Sequence, residues 1–311
     1  SLTLPTYPNP RRADRERAHS CIISAMGLEL NTLEMADAAL MSGGVLVLSI
    51  ALVRWRRSGW ADPLAAVPHR PNELLAILVW LCMAALLGGG AFGTLAAHRV
   101  IPDTLPDEVR DDWTGILSMA TAQLLTGLTC LTVARLARLE LFTRASCSLG
   151  RQLLDSMGGW LAALYVCGLV VWYTSWVIEL LWPDYRPPSH TVFSTLNAAE
   201  TPVWIRAVAI GGAAILAPLS EELLFRAILQ TSIGKLTPML LGERAGRWAA
   251  IFATAMLFGL LHLGTPQFMP ALVCLGILLG YLYERHGTLL VPMTVHALFN
   301  IKSLAWYYLA A

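Results

Sequence analysis

Six polar residues stand where an apolar chain would not choose them, and their types are those of acid–base and oxyanion chemistry. Glu221 and Glu222 are adjacent inside an apolar run from about Val203 to Leu229. A carboxylate at the centre of a membrane helix costs about 2.5–3.5 kcal/mol on insertion scales, so such groups face a bundle interior or a watery cavity and have partners. Arg226 is four residues from Glu222 and shares its helical face. Glu221 lies about 100° round the axis, so its carboxylate is the freer of the two. His262 closes the segment Phe258–His262, and His296 and Asn300 lie four apart on one face of a later apolar segment.

Singly, each residue has an ordinary explanation, since a membrane histidine or asparagine can simply hydrogen-bond one helix to the next. Together, three segments deliver a base, two imidazoles and a carboxamide. No His-Glu-x-x-His zinc motif occurs, although two histidines and two carboxylates form a metal-compatible set in principle. No serine or cysteine stands in a nucleophile context, and Ser220 is expected to hydrogen-bond its own backbone. The remaining scheme is attack by water, with a glutamate as general base, a histidine orienting the water and His/Asn donors holding the oxyanion.

Glu-Glu-x-x-x-Arg, then Phe-x-x-x-His, then His-x-x-x-Asn, in that order and in separate membrane segments, resembles the CAAX prenyl endopeptidase and bacteriocin-processing family. These are the Ras-converting type of intramembrane glutamate protease. The resemblance covers about residues 203–309. It implies Glu221 as base with His262 activating water, Glu222 paired with Arg226, Phe258 in support, and His296 with Asn300 as oxyanion donors. It also implies no metal and no cofactor, and a membrane-associated protein or peptide as substrate, whether a prenylated CAAX protein or a bacterial precursor. Two other classes remain open: a non-proteolytic immunity or scaffold protein of the same fold, and a transporter using the carboxylates as proton sites. No inverted repeat is visible for the latter.

Composition dictates what must position these groups. The 311 residues are 56% hydrophobic and 14% charged, with mean hydropathy +0.58, where soluble domains carry about 25% charged residues. The expected fold is an all-α polytopic bundle of about eight spans in a lipid bilayer. They run near 36–53, 73–97, 113–133, 157–182, 203–229, 248–263, 268–284 and 288–309. Net charge +1 gives no reason to expect nucleic acid. Residues 1–35 read as a polar, interfacial arm, 36–200 as N-terminal helices, and 201–311 as the protease-like core. The arm has no cleavable signal pattern, and Ser1 in place of Met fits a trimmed start. Pro218, three residues before Glu221, frees a backbone carbonyl and bends its helix. The Gly89/Gly93 pair allows close internal helix packing. Six scattered cysteines without a CxxC suggest neither disulfides nor a thiolate site.

The connections 54–72, 134–156, 230–247 and 285–287, with Arg226, hold 13 of the 22 basic residues. The loops at 98–112, 183–202 and 264–267 hold only Arg99, Arg110 and Arg186. The positive-inside bias therefore places the first set in the cytosol. The glutamate pair then opens toward the cytosolic side, and the expected setting is a bacterial inner membrane. Arg11, Arg12, Arg15 and Arg17 dissent, because eight spans leave the N-terminal arm outside.

Overall fold

The computed structural model describes residues 30–142, 148–185, 191–198 and 201–310. Most of the N-terminal arm, Cys21, Cys147 and Arg186 lie outside these residues. Each of the eight expected apolar segments falls on one helix: α1 Leu30–Arg57, α2 Ala76–Val100, α3 Asp107–Leu136 and α4 Leu149–Leu181 come first. A short α5, Thr191–Asn197, leads to α6, Val203–Leu241. Then come α7 Glu243–Leu260, α8 Met269–His286 and α9 Leu290–Ala310. No strand occurs among the described residues.

Five of these helices, α1, α2, α3, α4 and α6, are long and apolar enough to cross a membrane. Their outward residues are apolar, with Leu81, Leu87 and Trp172 between 52% and 69% exposed, as lipid contact requires. The chain is an integral membrane protein. Helices α7 and α8 have 18 residues each and α9 has 21. They carry the polar residues Arg247, Glu284, His296, Asn300 and Lys302.

The helix ends follow their chemistry. Three arginines, Arg54, Arg56 and Arg57, occupy the last turn of α1, and Asp107 and Glu108 the first turn of α3, each complementing the helix dipole. Gly242 (φ 77°) and Gly287 (φ 65°) end α6 and α8 in conformations that residues with a Cβ rarely adopt.

Helix α6 is the axis of the bundle. Its residues Leu223, Leu224, Phe225 and Ile228 are buried against Cys82 of α2, Cys130 and Val133 of α3, and Phe258 of α7. On the other side of the bundle, Ala163 and Cys167 of α4 pack with Leu275 and Leu279 of α8 and Val291 and Val295 of α9. Helices α2 and α3 also approach closely. A Cβ at Gly93 would stand 2.7 Å from Ser118 Cα and one at Gly89 would stand 2.9 Å from Ala122 Cα, so the pair serves internal packing.

The connection expected at 54–72 is, over its residues 58–72, a strap. Arg247 Nη1 donates to Leu64 O (3.0 Å) and Val67 O (2.8 Å), and Asp62 pairs with Arg244 (3.2 Å). Asn72 Nδ2 donates to Ile228 O (3.1 Å) and Thr231 Oγ1 (2.6 Å). The strap thus ties α1 to the far end of the helix that carries the glutamates.

Candidate active site

The local build of α6 begins with Pro218. Around it the helix changes register: π-turns at Gly212–Leu216 and Leu223–Gln230 flank a short α-helical piece, Ala217–Glu222. Ala217 N–H bonds back to Gly212 O rather than to Ala213 O. In that register Ala213 O would next accept from residue 218, which as proline has no N–H. The orphaned carbonyl is taken by Asn300, whose Nδ2 donates to Ala213 O at 2.8 Å. A proline, a π-turn and an asparagine on another helix are therefore one device. Such π-turns recur at functional sites because they re-aim side chains. Ser220 behaves as expected, donating to Leu216 O (2.8 Å).

The two glutamates leave this turn in different environments. Glu222 is 0% exposed. Its Oε2 lies 3.1 Å from Arg226 Nε, the expected i, i+4 pair. Its Oε1 lies 2.9 Å from His296 Nδ1. Arg226 is itself 1% exposed, donates from Nη2 to Gly276 O of α8 (3.3 Å), and lies over the ring of Phe258 at 5.2 Å. A buried charge pair is favourable only when its remaining donors and acceptors are engaged; here Nε and Nη2 are engaged and Nη1 is left without a hydrogen bond. The Glu221 side chain is 19% exposed, and its Oε2 stands 3.8 Å from His296 Nε2, beyond hydrogen-bond distance.

His296 thus stands between both carboxylates, one ring nitrogen toward each. Nδ1 is directed at Glu222 and Nε2 at Glu221. This bridging was not legible in the sequence, which pairs His296 with Asn300 through their spacing alone.

His262 follows the end of α7, and its Nδ1 donates to Phe258 O at 2.8 Å. A carbonyl cannot donate, so that bond fixes the proton on Nδ1 and leaves Nε2 as an acceptor. The His262 ring lies 5.0 Å from Phe258, which in turn meets His296 edge-on at 5.8 Å. Phe258 therefore separates the two imidazoles and covers Arg226. It is the spacer of the site, 1% exposed.

The structure thus gathers Glu221, Glu222, Arg226, Phe258 and His296 around the middle of α6. Asn300 joins them one turn along α9 with its amide engaged on the backbone. His262 joins through Phe258. Sequence reasoning missed Gln123 on α3, 6% exposed, with Oε1 buried and unpartnered and 3.7 Å from where a Cβ on Gly212 would be. Its signal was an amide inside the apolar run of the third span. Among the described residues, no group of three or more His, Cys, Asp or Glu side chains has the arrangement of a metal site.

Residues 202–302, the C-terminal third of the chain, match the family described as type II CAAX prenyl endopeptidase Rce1-like. It is the family that the three motifs resemble. No curated protein and no solved structure matches the chain.

Proposed function

We propose, from the match of residues 202–302 to the Rce1-like CAAX endopeptidase family, that this chain is an intramembrane endopeptidase using glutamate-activated water. The observation that carries the mechanism is the inequality of the two carboxylates. Glu222 is committed to Arg226 and His296, whereas the Glu221 side chain is 19% exposed and has no partner within hydrogen-bond distance among the described residues.

In this reading Glu221 takes a proton from water as the oxygen attacks the scissile carbonyl, and later gives it to the leaving amine. His262, with Nε2 free to accept, orients the water. His296 and the second amide hydrogen of Asn300 hold the developing oxyanion. Glu222 and Arg226 fix His296. The scheme needs no metal. The substrate is a membrane-associated protein or peptide. Helices α7, α8 and α9 cross the bilayer with the other five, giving eight spans, and the site opens toward the basic, cytosolic end in a bacterial inner membrane. The functional core is 201–311, with the preceding helices as its scaffold.

Purified protein in detergent with a quenched peptide library tests this. Cleavage that persists in EDTA and disappears in Glu221→Gln supports it. Loss in EDTA with rescue by zinc rejects the metal-independent scheme. Absence of cleavage of every peptide and co-expressed membrane protein turns the reading toward a scaffold or immunity role.

A further inference from the structure

A cavity of about 370 Å3 lies at the basic end of the bundle, away from the glutamate site. Its walls include Arg70, Leu74, Arg138, Leu139, Thr231 and Tyr283. These come from the end of the strap, the segment leaving α3, the lower part of α6 and the end of α8. It therefore sits where α2 begins and α3 and α8 stop, at one end of the bundle.

Its charge balance is unusual. Three acidic residues also line it, but each is engaged. Glu284 pairs with Arg247 (3.1 Å) and His69 (3.8 Å), Glu73 pairs with Lys235, and Glu140 is not free. The two arginines have no such partner among the described residues. Arg70 Nη1 is buried with no hydrogen bond, and a buried unpaired donor needs an explanation. It presses on Gly287 so closely that a Cβ there would collide with it. Arg138 is exposed and holds φ 54°, a conformation that non-glycine residues seldom adopt. The cavity thus presents two uncompensated guanidinium groups over a floor of leucine and tyrosine. Leu75 and Leu136, 68% and 77% exposed, are the chain neighbours of its lining residues Leu74 and Ala137.

We propose that this cavity binds the phosphate of an anionic phospholipid, with Arg70 and Arg138 as its ligands and the acyl chains lying over Leu75 and Leu136. Guanidinium groups match phosphate geometry, and basic pockets between membrane helices at the cytosolic boundary are suited to lipid headgroups. The inference is independent of the protease reading, and its test needs no turnover.

The experiment follows the melting temperature of the purified full chain, by tryptophan fluorescence, as short-chain phosphatidylglycerol, phosphatidylcholine or inorganic phosphate is added. Phosphatidylglycerol is expected to raise it saturably. The apparent affinity should fall on the order of tenfold in Arg70→Gln and in Arg138→Gln, the scale of one charged hydrogen bond. Arg138 is exposed, so its variant is expected to fold if Arg70→Gln does not. Arg57→Gln, at the same end but outside the cavity, should bind as the parent does. Equal protection by phosphatidylcholine overturns the proposal. So does an equal loss in Arg57→Gln, which marks a diffuse charge effect, or no loss in Arg138→Gln. Equal protection by inorganic phosphate overturns the lipid assignment in favour of a free anion.

Discussion

Glu221 and Glu222 are neighbours in sequence with opposite surroundings, and substitution should separate them. Glu221→Gln keeps the shape of the side chain and removes the base. It is expected to lower turnover by about 10²-fold or more while leaving the melting temperature in place; near-parental turnover would remove Glu221 from the mechanism. Arg226 is expected to act through stability. Arg226→Ala strands Glu222 at 0% exposure, and breaking a buried pair from one side costs roughly 3–5 kcal/mol. Yield and melting temperature should fall together. Glu222→Gln/Arg226→Met should melt above Arg226→Ala alone, because no charge is left buried. If Arg226→Ala keeps its melting temperature and only raises KM, the arginine is a substrate ligand instead.

At the scale of elements, the site depends on helices approaching more closely than ordinary side chains permit. Helix α2 reaches α3 through Gly89 and Gly93, and α3 in turn lies against α6, with Gly127 facing Ser220. Gly93→Leu drives a side chain into the backbone of Ser118 rather than into a movable side chain. Overpacking of this kind costs about 1–3 kcal/mol. The expected result is a lower melting temperature and a smaller loss of turnover, since α6 holds its π-turns through Pro218 and Asn300 independently of α2. An unchanged melting temperature would mean that the α2–α3 contact is looser in the membrane.

For the whole molecule, the strap decides how one end of the bundle is held. His69 Nε2 donates to Gly234 O (2.8 Å), and its Nδ1 lies 3.8 Å from Glu284. The Glu284 carboxylate raises its pKa above the ordinary 6.5, against burial, which lowers it. A raised folded value means that the contact stabilises fully below pH 6.5 and fades as pH climbs through the folded value. Melting temperature should fall over that upper interval, and His69→Gln should flatten the fall. A slope unchanged in His69→Gln would show that the strap does not sense this proton. Orientation is tested separately: a cysteine replacing Ser58 should label only from the cytosol and one replacing Asp103 only from outside. The reverse pattern would invert the bundle and the side from which substrate enters.

The sequence alone determined the class of fold, because 311 residues at 14% charge cannot form a water-facing surface. It also placed the eight long helices, each an apolar run bounded by charge, proline or glycine. Residues related by spacing along one helix were legible too: the Glu222–Arg226 pair follows from the pitch of α6, and Gly89/Gly93, small residues one turn apart, mark a face open to close packing without naming its partner. Contacts between helices were not legible, because helical periodicity says which residues share a face and nothing about what that face meets. Only the tertiary structure set His296 between the two glutamates, turned Asn300 onto the carbonyl that Pro218 leaves open, and put Phe258 between two imidazoles. The same limit hid the strap, whose polar residues read as a linker until Arg247 and Asn72 supplied their partners. It hid the cavity as well, since an arginine left without a partner is visible only when every neighbour has a place.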